Sequence, residues 1–375
     1  MQVELSTWQK KWDKDATLHD AELVIYFGGK TILTTATHYQ ELKQRYPKAQ
    51  ILGCSTGGEI YGADVLDGSL IATAVKLAKT DIATATLRIK DSSESLDAGK
   101  QIATLLNKPG LRHIFVLSDG TNVNGSELVK GIYSVVDPSV TVTGGLAGDG
   151  AAFKETLVGL NDAPAPRNIG AIGFYGSALR IGYGSVGGWD PFGPERKITR
   201  SSGNVLYELD GKPALDLYKE YLGEEADKLP GSALLFPLSI RPDPESEHQM
   251  VRTIVGVDND KKSMIFAGDM PEGYIAQLMR GNFDNLIEGA ANAAGLAVGK
   301  GPYPSSLAIL VSCIGRKLLL GQAISDETEA VAEVFNHEIP TVGFYSYGEI
   351  CHQQFTGKCG LHNQTMTVTL LHEDE

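Results

Sequence analysis

Residues 51–60 of this chain read ILGCSTGGEI, and residues 341–350, near its other end, read TVGFYSYGEI. Each stretch has a glycine, four further residues and then Gly-Glu-Ile. The surroundings also match, because an apolar strand-like run, a Gly-Lys or Gly-Arg pair and a helix-like run precede each stretch. We infer that a strand–turn–helix–strand unit is duplicated, and that a pseudo-twofold axis relates its two copies.

Strand-like and helix-like runs alternate along most of the chain. This pattern predicts a mixed α/β (α+β) fold of two related modules, in which twisted, largely β sheets are flanked by helices. We predict an N-terminal extension over 1–20, a first domain over 21–212 and a second domain over 213–375. The 375 residues are enough for two or three domains of ordinary size.

Composition and charge exclude several classes of function. The net charge is −13, which repels phosphate, so we expect neither a nucleic-acid-binding protein nor one attracted to anionic membranes. No run is long and apolar enough to span a bilayer, and the start of the chain lacks the apolar core of a signal peptide. Four cysteines do not form a disulfide framework. We therefore expect a cytoplasmic protein.

The two copies place charged side chains at the ends of strands. Lys30 and Glu59 belong to the first copy, and Arg316 and Glu349 belong to the second. Because open α/β sheets bind ligands at strand ends, these four side chains could converge on one cleft. In the alternative interpretation, Lys30–Glu59 and Arg316–Glu349 are ion pairs that only stabilise each copy.

The first copy also contains the pattern G-x-S-x-G, with Cys54 and Ser55 at its centre. In hydrolases of the α/β class, this pattern places a nucleophilic serine on a turn that leads directly into a helix. The residues after Ser55 are rich in glycine and have no helical periodicity, so a hydrolase is the alternative to a binding protein.

Further candidates for ligand binding lie in two glycine- and aromatic-rich stretches. TGGLAGDG (143–150) leaves a strand and carries Asp149, where exposed backbone amides could hold an anion. The second stretch carries Tyr345 and Tyr347, and Asn363 begins a strand further along.

Residues 351–362 contain Cys351, His352, Cys359 and His362. Four such side chains can bind a metal, although their spacing is not the usual pair of C-x2-C motifs. The alternative is a histidine at the start of a strand that is held by hydrogen bonds.

Several blocks together resemble the FIST family. They are ILGCSTGGEI, GGLAGDG, FAGDMPEGYIAQLMRGNFDNLIEGAANAAG, LVSCIGRK and GFYSYGEIC with LHNQTMTVTLL, and they extend over about residues 22–371. The resemblance implies a stand-alone sensor that binds a small molecule and signals to a separate protein, such as a histidine kinase or a cyclic-dinucleotide enzyme. It leaves self-association into a homo-oligomer open.

The resemblance implies two kinds of ligand. For an amino acid, Arg316 would bind the carboxylate, Glu349 or Glu59 the ammonium group, and Tyr345 and Tyr347 would enclose the side chain. Some stand-alone members are similar to haem-binding sensors of nitric oxide. For such a ligand, His362 or His352 would be the axial ligand of a haem b, held without covalent attachment because C-x-x-C-H is absent.

Overall fold

The fold was determined from a computed structural model, which describes residues 1–229, 231–246, 249–299, 301, 306–352 and 359–374. The strands are β1 (Gln2–Trp8), β2 (Leu23–Gly29), β3 (Gln50–Thr56), β4 (Glu59–Tyr61), β5 (Asp64–Leu66), β6 (Leu70–Lys76), β7 (Asp81–Arg88), β8 (Leu111–Ser118), β9 (Thr141–Leu146), β10 (Val158–Leu160), β11 (Asn168–Tyr175), β12 (Leu179–Val186), β13 (Trp189–Ser202), β14 (Val205–Leu209), β15 (Lys212–Pro213), β16 (Leu238–Arg241), β17 (Met250–Arg252), β18 (Ile254–Asp258), β19 (Ser263–Phe266), β20 (Ile275–Gly281), β21 (Leu307–Cys313), β22 (Thr341–Ser346), β23 (Gly348–His352), β24 (Cys359–His362) and β25 (Met366–Glu373). The α-helices are α1 (Lys30–Leu33), α2 (Thr37–Arg45), α3 (Ser95–Leu106), α4 (Gly125–Tyr133), α5 (Ala214–Leu222), α6 (Phe283–Val298), α7 (Ile314–Leu320) and α8 (Ile324–Val334).

Three of the four sheets are built on the same plan. Each contains a parallel pair of strands joined by a helix: β2 and β3 with α2, β8 and β9 with α4, and β21 and β22 with α8. The first strand of each pair is antiparallel to a later strand, which is β6, β11 or β25. The predicted mixed α/β fold and its internal duplication are therefore confirmed. The structure adds one further copy between the two predicted ones, and we number the three copies first, second and third in chain order.

The three copies exchange strands in a closed cycle. The strand after β3 is β4, which pairs with β22 of the third copy. The strand after β22 is β23, which pairs with β9 of the second copy, and β10, which follows β9, pairs with β3 of the first copy. Each copy thus completes the sheet of another, so the three strand ends are brought to one place.

The fourth sheet lies outside this cycle. It runs from β17 through β16, β20, β13, β14 and β19 to β18, with β15 paired to β14. Its strands come from both sides of the boundary predicted at residue 212. The predicted N-terminal extension, residues 1–20, contributes β1, which pairs with β6 at the edge of the first sheet.

Apolar side chains pack the first sheet against the third, while the fourth sheet has an apolar cluster of its own with α5. Phe27 of β2 and Phe344 of β22 are fully buried, and their rings stack with centroids 4.7 Å apart. Burial of aromatic side chains of this size contributes strongly to stability, so the contact fixes the first sheet against the third. Across the described residues, no helix combines the length and the apolar character that crossing a membrane would require.

Candidate functional site

The ends of the three parallel strand pairs meet, as the strand-end rule predicts. Backbone hydrogen bonds join them: Gly57 N–H to Tyr345 C=O (2.7 Å), Gly148 N–H to Ser55 C=O (2.9 Å) and Tyr347 N–H to Leu146 C=O (3.1 Å). Most of the predicted site residues lie in or next to these turns. Their individual contacts decide which of them could reach a ligand.

Glu59 and Glu349 have equivalent surroundings in the first and third copies. Glu59 accepts hydrogen bonds from the Thr56 hydroxyl and from the hydroxyl (2.6 Å) and backbone N–H (3.0 Å) of Ser69. Both carboxyl groups are buried. Burial raises the pKa of Glu59, which Ser69 and Thr56 partly oppose. This carboxyl group thus fastens the turn after β3 to the start of β6.

Glu349 makes the matching set of contacts. It accepts hydrogen bonds from the Ser346 hydroxyl (2.6 Å) and from the hydroxyl (2.9 Å) and N–H (3.2 Å) of Thr365. Burial raises the pKa of Glu349 to about 8, against the effect of these hydrogen bonds. Because its oxygens are engaged inside the protein, the role of Glu349 in this structure is to fasten the turn after β22.

Neither of the two ion pairs considered from the sequence is formed. Lys30 binds Glu155 at 2.9 Å and is partly exposed. Arg316 is fully buried and binds Glu327, with Nη2 at 2.8 Å and Nε at 2.9 Å from the same carboxylate oxygen. The Tyr345 hydroxyl donates to Glu327 as well, at 2.8 Å.

Arg316 also donates to two backbone carbonyl groups, those of Gly187 at 2.6 Å and Leu286 at 2.7 Å. Its Nε, Nη1 and Nη2 atoms are therefore all engaged by the protein. Arg316, Tyr345 and Glu327 form a buried polar network in the core, with no opening toward a ligand among the described contacts.

Cys54 and Ser55 are buried in β3. The Ser55 hydroxyl accepts a hydrogen bond from the N–H of Leu157 at 2.9 Å, and burial raises the pKa of the Cys54 thiol well above its ordinary range. A short turn and strand β4 follow, so the predicted absence of a helix after Ser55 is confirmed. The local geometry is therefore not that of a nucleophile elbow.

Asp149 and Tyr347 are two predicted residues that the structure brings together. The Tyr347 hydroxyl binds the Asp149 carboxylate, which also accepts backbone N–H groups from Phe153 (2.8 Å), Lys154 (3.0 Å) and Glu155 (3.0 Å). The Phe153 ring stacks on the Tyr347 ring with centroids 4.3 Å apart. These contacts give the loop after β9 a fixed shape.

Tyr347 and Phe153 line a cavity of about 260 Å³, which we name the interdomain cavity. Its lining residues are Ser92, Gly120, Thr121, Val123, Asn124, Leu146, Phe153, Asn204, Val255, Ile265, Phe266, Ala267 and Tyr347. It lies at the end of β8, beside the start of α4, and β18 and β19 of the fourth sheet close it from the other side. Within the described part of the chain, no side chain that carries a full charge lines it.

The polar groups of the interdomain cavity are held in place. Asn124 caps α4 by accepting the N–H of Glu127 at 3.2 Å, and its amide donates to Asp269 at 3.1 Å. The Asn204 amide donates to the carbonyl of Phe266 at 2.7 Å. Fixed polar groups on a partly apolar wall are typical of small-molecule sites.

Most of these cavity residues were not predicted. Thr121 and Asn124 follow Ser-Asp-Gly at the end of β8, so the strand-end rule could have found them. Asn204 and Val255 belong to the fourth sheet, and no motif in the sequence links them to the other residues. Asn363, which was predicted, lies away from this cavity, is buried, and accepts the N–H of Thr253 at 3.5 Å.

The two histidines considered for haem point into the protein. His352 Nε2 accepts the N–H of Val142 at 3.2 Å and lies 2.8 Å from the Tyr133 hydroxyl. His362 Nε2 lies 3.0 Å from the carbonyl oxygen of Cys351, and burial lowers the pKa of His362 to about 4. Because neither imidazole lines the interdomain cavity, the described residues do not fit an axial haem ligand there.

The metal site considered for Cys351, His352, Cys359 and His362 is also not formed by the described residues. Outside residues 353–358 and the other gaps, no group of three or more histidine, cysteine, aspartate or glutamate side chains has a geometry that could hold a metal ion. Instead, the Cys359 thiol lies 3.3 Å from the carbonyl oxygen of Val142.

Family comparisons match nearly the whole chain. The model of the FIST N domain matches residues 22–212, and the model of the FIST C domain matches residues 214–352. An uncharacterised protein of Methanocaldococcus jannaschii is 23% identical over 351 residues, which cover 83% of this chain and 66% of that protein. This chain thus spans slightly less than two thirds of that relative.

Solved structures give only distant similarities. A cyanuric acid hydrolase from A. caulinodans aligns over 100% of this chain and 99% of its own, with 8% identity and a TM-score of 0.35. A chorismatase aligns over 100% and 98%, with 9% identity and the same TM-score. These TM-scores are too low for functional inference.

Proposed function

This protein belongs to the FIST family, whose domains imply a sensory role with small-ligand binding, and we propose that it senses an amino acid bound in the interdomain cavity. The observation that carries the proposal is the composition of the cavity wall. Gly120, Asn124 and Phe153 come from the part that matches the FIST N domain, whereas Val255 and Tyr347 come from the part that matches the FIST C domain. A bound ligand would therefore contact both domains and stabilise one arrangement of them.

The chemistry of the cavity supports a small ligand without net charge. A volume of about 260 Å³ suits a molecule of amino-acid size and is too small for a haem. A cavity wall without charged side chains disfavours burial of a ligand with a net charge. A zwitterion has no net charge, because its ammonium and carboxylate groups compensate each other. The start of α4 offers partial positive charge for a carboxylate, and the aromatic ring of Tyr347 can cover an ammonium group or an apolar side chain.

We propose that the protein binds its ligand without catalysing a reaction. The ligand-bound state would be recognised by a separate signalling protein, such as a histidine kinase or a cyclic-dinucleotide enzyme. The geometry around Ser55 supports this choice over a hydrolase. Asp149 is a positioning residue in the proposal, because its hydrogen bonds shape the loop that carries Phe153 into the cavity, whereas Tyr347 binds Asp149 through its hydroxyl and faces the ligand with its ring. Arg316 and Tyr345 are left out of the site, since Glu327 engages both.

The test is a thermal-shift screen of the twenty amino acids, followed by calorimetry of those that stabilise the protein. Ligand at 100 times its Kd adds about 2.7 kcal/mol to the free energy of unfolding, a shift that is easily detected. In Val255→Trp the indole ring would occupy the cavity, so we expect affinity to fall at least about tenfold.

Val334→Trp is the matched control, because Val334 on α8 is exposed to nearly the same degree as Val255 (37% and 38%) but lies outside the cavity. Its affinity should equal that of the unmodified protein. A screen in which no amino acid stabilises the protein contradicts the ligand class. Unchanged affinity in Val255→Trp contradicts the site.

A further inference from the structure

A second cavity lies on the other side of α4 and is distinct from the interdomain cavity. Its volume is about 470 Å³, and we name it the Arg252 cavity. Its lining residues are Ser126, Val129, Lys130, Tyr133, Pro138, Met250, Arg252, Cys359, Gly360 and Leu361. The wall is mainly apolar, and its size lies in the range of sites for small organic molecules.

Arg252 is a buried cation in this wall. Arg252 is 4% exposed, and its guanidinium group donates to the carbonyl oxygens of Leu361 (Nη1, 3.0 Å), Asp269 (Nε, 3.2 Å) and, more weakly, Val251 (Nη1, 3.4 Å). The contact recorded for Nη2 is the thioether sulfur of Met250 at 3.7 Å, a weak acceptor. Among the described residues, no carboxylate forms an ion pair with Arg252 within 4.0 Å.

An arginine in this position cannot remove its own charge. Burial lowers the pKa of Arg252 to about 10, against the effect of Asp269, so the guanidinium group remains protonated near neutral pH. A buried charge without a partner is costly, and removing this cost requires an anion. Nη2, whose contact is with a sulfur atom, is the donor available to such an anion. The mainly apolar wall indicates that the rest of the anion is apolar.

We propose that the Arg252 cavity binds a small organic anion with an apolar body, whose carboxylate is held by Nη2 of Arg252 and whose body contacts Val129, Met250 and Leu361. Lys130 is exposed at the rim, where it forms an ion pair with Glu127 at 3.2 Å, so Arg252 is the cation on which the proposal depends. This site does not depend on the amino-acid site proposed above. The Arg252 cavity is lined by residues of α4, and the interdomain cavity reaches the residue that caps this helix, Asn124, so the two cavities offer the sensor two separate ligand sites.

The first experiment compares two fluorescent probes with nearly the same apolar skeleton. 1-Anilinonaphthalene-8-sulfonate carries an anionic group, and N-phenyl-1-naphthylamine does not. We expect the protein to bind the anionic probe at least about tenfold more tightly, because only this probe can neutralise Arg252. In Arg252→Met this preference should disappear, whereas Arg200→Met, at an exposed arginine paired with Glu208, should keep it.

Competition with carboxylates then defines the ligand. Decanoate and 1-naphthoate are both carboxylates, with an alkyl and an aromatic body respectively. Displacement of the anionic probe by decanoate alone would indicate an alkyl acid, and displacement by 1-naphthoate alone would indicate an aromatic acid. Equal binding of both probes, or failure of both competitors, would overturn the proposal.

A second variant tests the same cavity in case Arg252→Met does not fold. Among the described residues, no heavy atom lies within 4 Å of a Cβ atom added at Gly360, which lines the cavity, so Gly360→Trp should place its indole ring in the cavity volume. Gly295→Trp is the control, at a glycine of α6 with equally open surroundings. Probe binding that survives Gly360→Trp would place the probe elsewhere and overturn the assignment.

The reaction rate of the Cys359 thiol measures independently whether a ligand occupies the Arg252 cavity. Cys359 lines this cavity and is partly exposed, whereas Cys54, Cys313 and Cys351 are buried. Burial raises the pKa of the Cys359 thiol well above its ordinary range, so its alkylation by a maleimide should be slow and is best measured at alkaline pH. Bound decanoate or 1-naphthoate should slow this alkylation at least about threefold further, and Cys359→Ser should abolish it. A labelling rate that saturating carboxylate leaves unchanged would contradict binding in this cavity.

Discussion

Arg316 and Arg252 are both buried arginines, but only one of them has a carboxylate partner. Arg316 binds Glu327 and two carbonyl groups, so its charge has a partner and each of its three nitrogen atoms is engaged. Arg252 has carbonyl groups and a sulfur atom around it and no ion-pair partner among the described residues. The sequence motif pointed to Arg316 as the ligand-binding cation, whereas the structure indicates Arg252.

The difference shows that burial alone does not identify a binding residue. Glu59 and Glu349 are also buried without a cation at ion-pair distance among the described residues, but a carboxyl group can become neutral by taking up a proton. The raised pKa of Glu349, about 8, is the sign of that response. Arginine lacks this response near neutral pH, so an unpaired arginine needs an external anion.

The largest change in the free energy of unfolding should follow the replacement of Arg316, the arginine with a carboxylate partner. Arg316→Met would leave Glu327 buried without its cation, and such losses cost about 3–5 kcal/mol. We expect the free energy of unfolding in urea to fall by this amount. The double variant Arg316→Met, Glu327→Gln should recover part of the loss, because it removes the unpaired charge. A loss below about 1 kcal/mol would contradict the view that this network is structural.

Glu349→Gln should change the free energy of unfolding by a smaller amount, and this change should depend on pH. The pKa of Glu349 in the folded protein, about 8, lies above its ordinary value of 4.5. Between these values the folded protein holds a proton that the unfolded chain releases, so the free energy of unfolding decreases as pH rises. Glutamine cannot ionise, and the variant should therefore exceed the unmodified protein by about 2–4 kcal/mol at pH 8.

The measurement is urea unfolding at pH 5 and pH 8. The advantage of Glu349→Gln should be small at pH 5 and large at pH 8. Glu333→Gln, at an exposed position of α8, is the control and should show no such change. An advantage that is the same at both pH values would mean that Glu349 does not carry the proton.

The sequence predicted the parts of the fold that depend on local pattern. Strand and helix periodicity gave the mixed α/β class, and the repeated Gly-Glu-Ile gave the duplication. The second copy was missed because it has Gly148-Asp149-Gly150 where the other two copies have Gly-Glu-Ile. Its sheet topology is the same, but an identity match could not detect it.

The candidate sites could be predicted only in part, because they depend on tertiary contacts. Asp149 and Tyr347 were predicted and do meet, although 198 residues separate them. The importance of Arg252 comes from what is absent around its guanidinium group. Apart from the adjacent Val251, its carbonyl partners lie 17 and 109 residues away in the sequence, and no spacing rule connects them.

The smallest change in stability should follow Arg252→Met measured without ligand. The variant loses hydrogen bonds to three carbonyl groups, of which the two shorter ones each contribute about 1 kcal/mol or somewhat more, but it also removes the cost of burying an unpaired charge. These terms oppose each other, so we expect the free energy of unfolding in urea to change by about 1 kcal/mol or less. A loss as large as that of Arg316→Met would show that Arg252 is matched within the protein, and the reason to expect an anionic ligand would be removed.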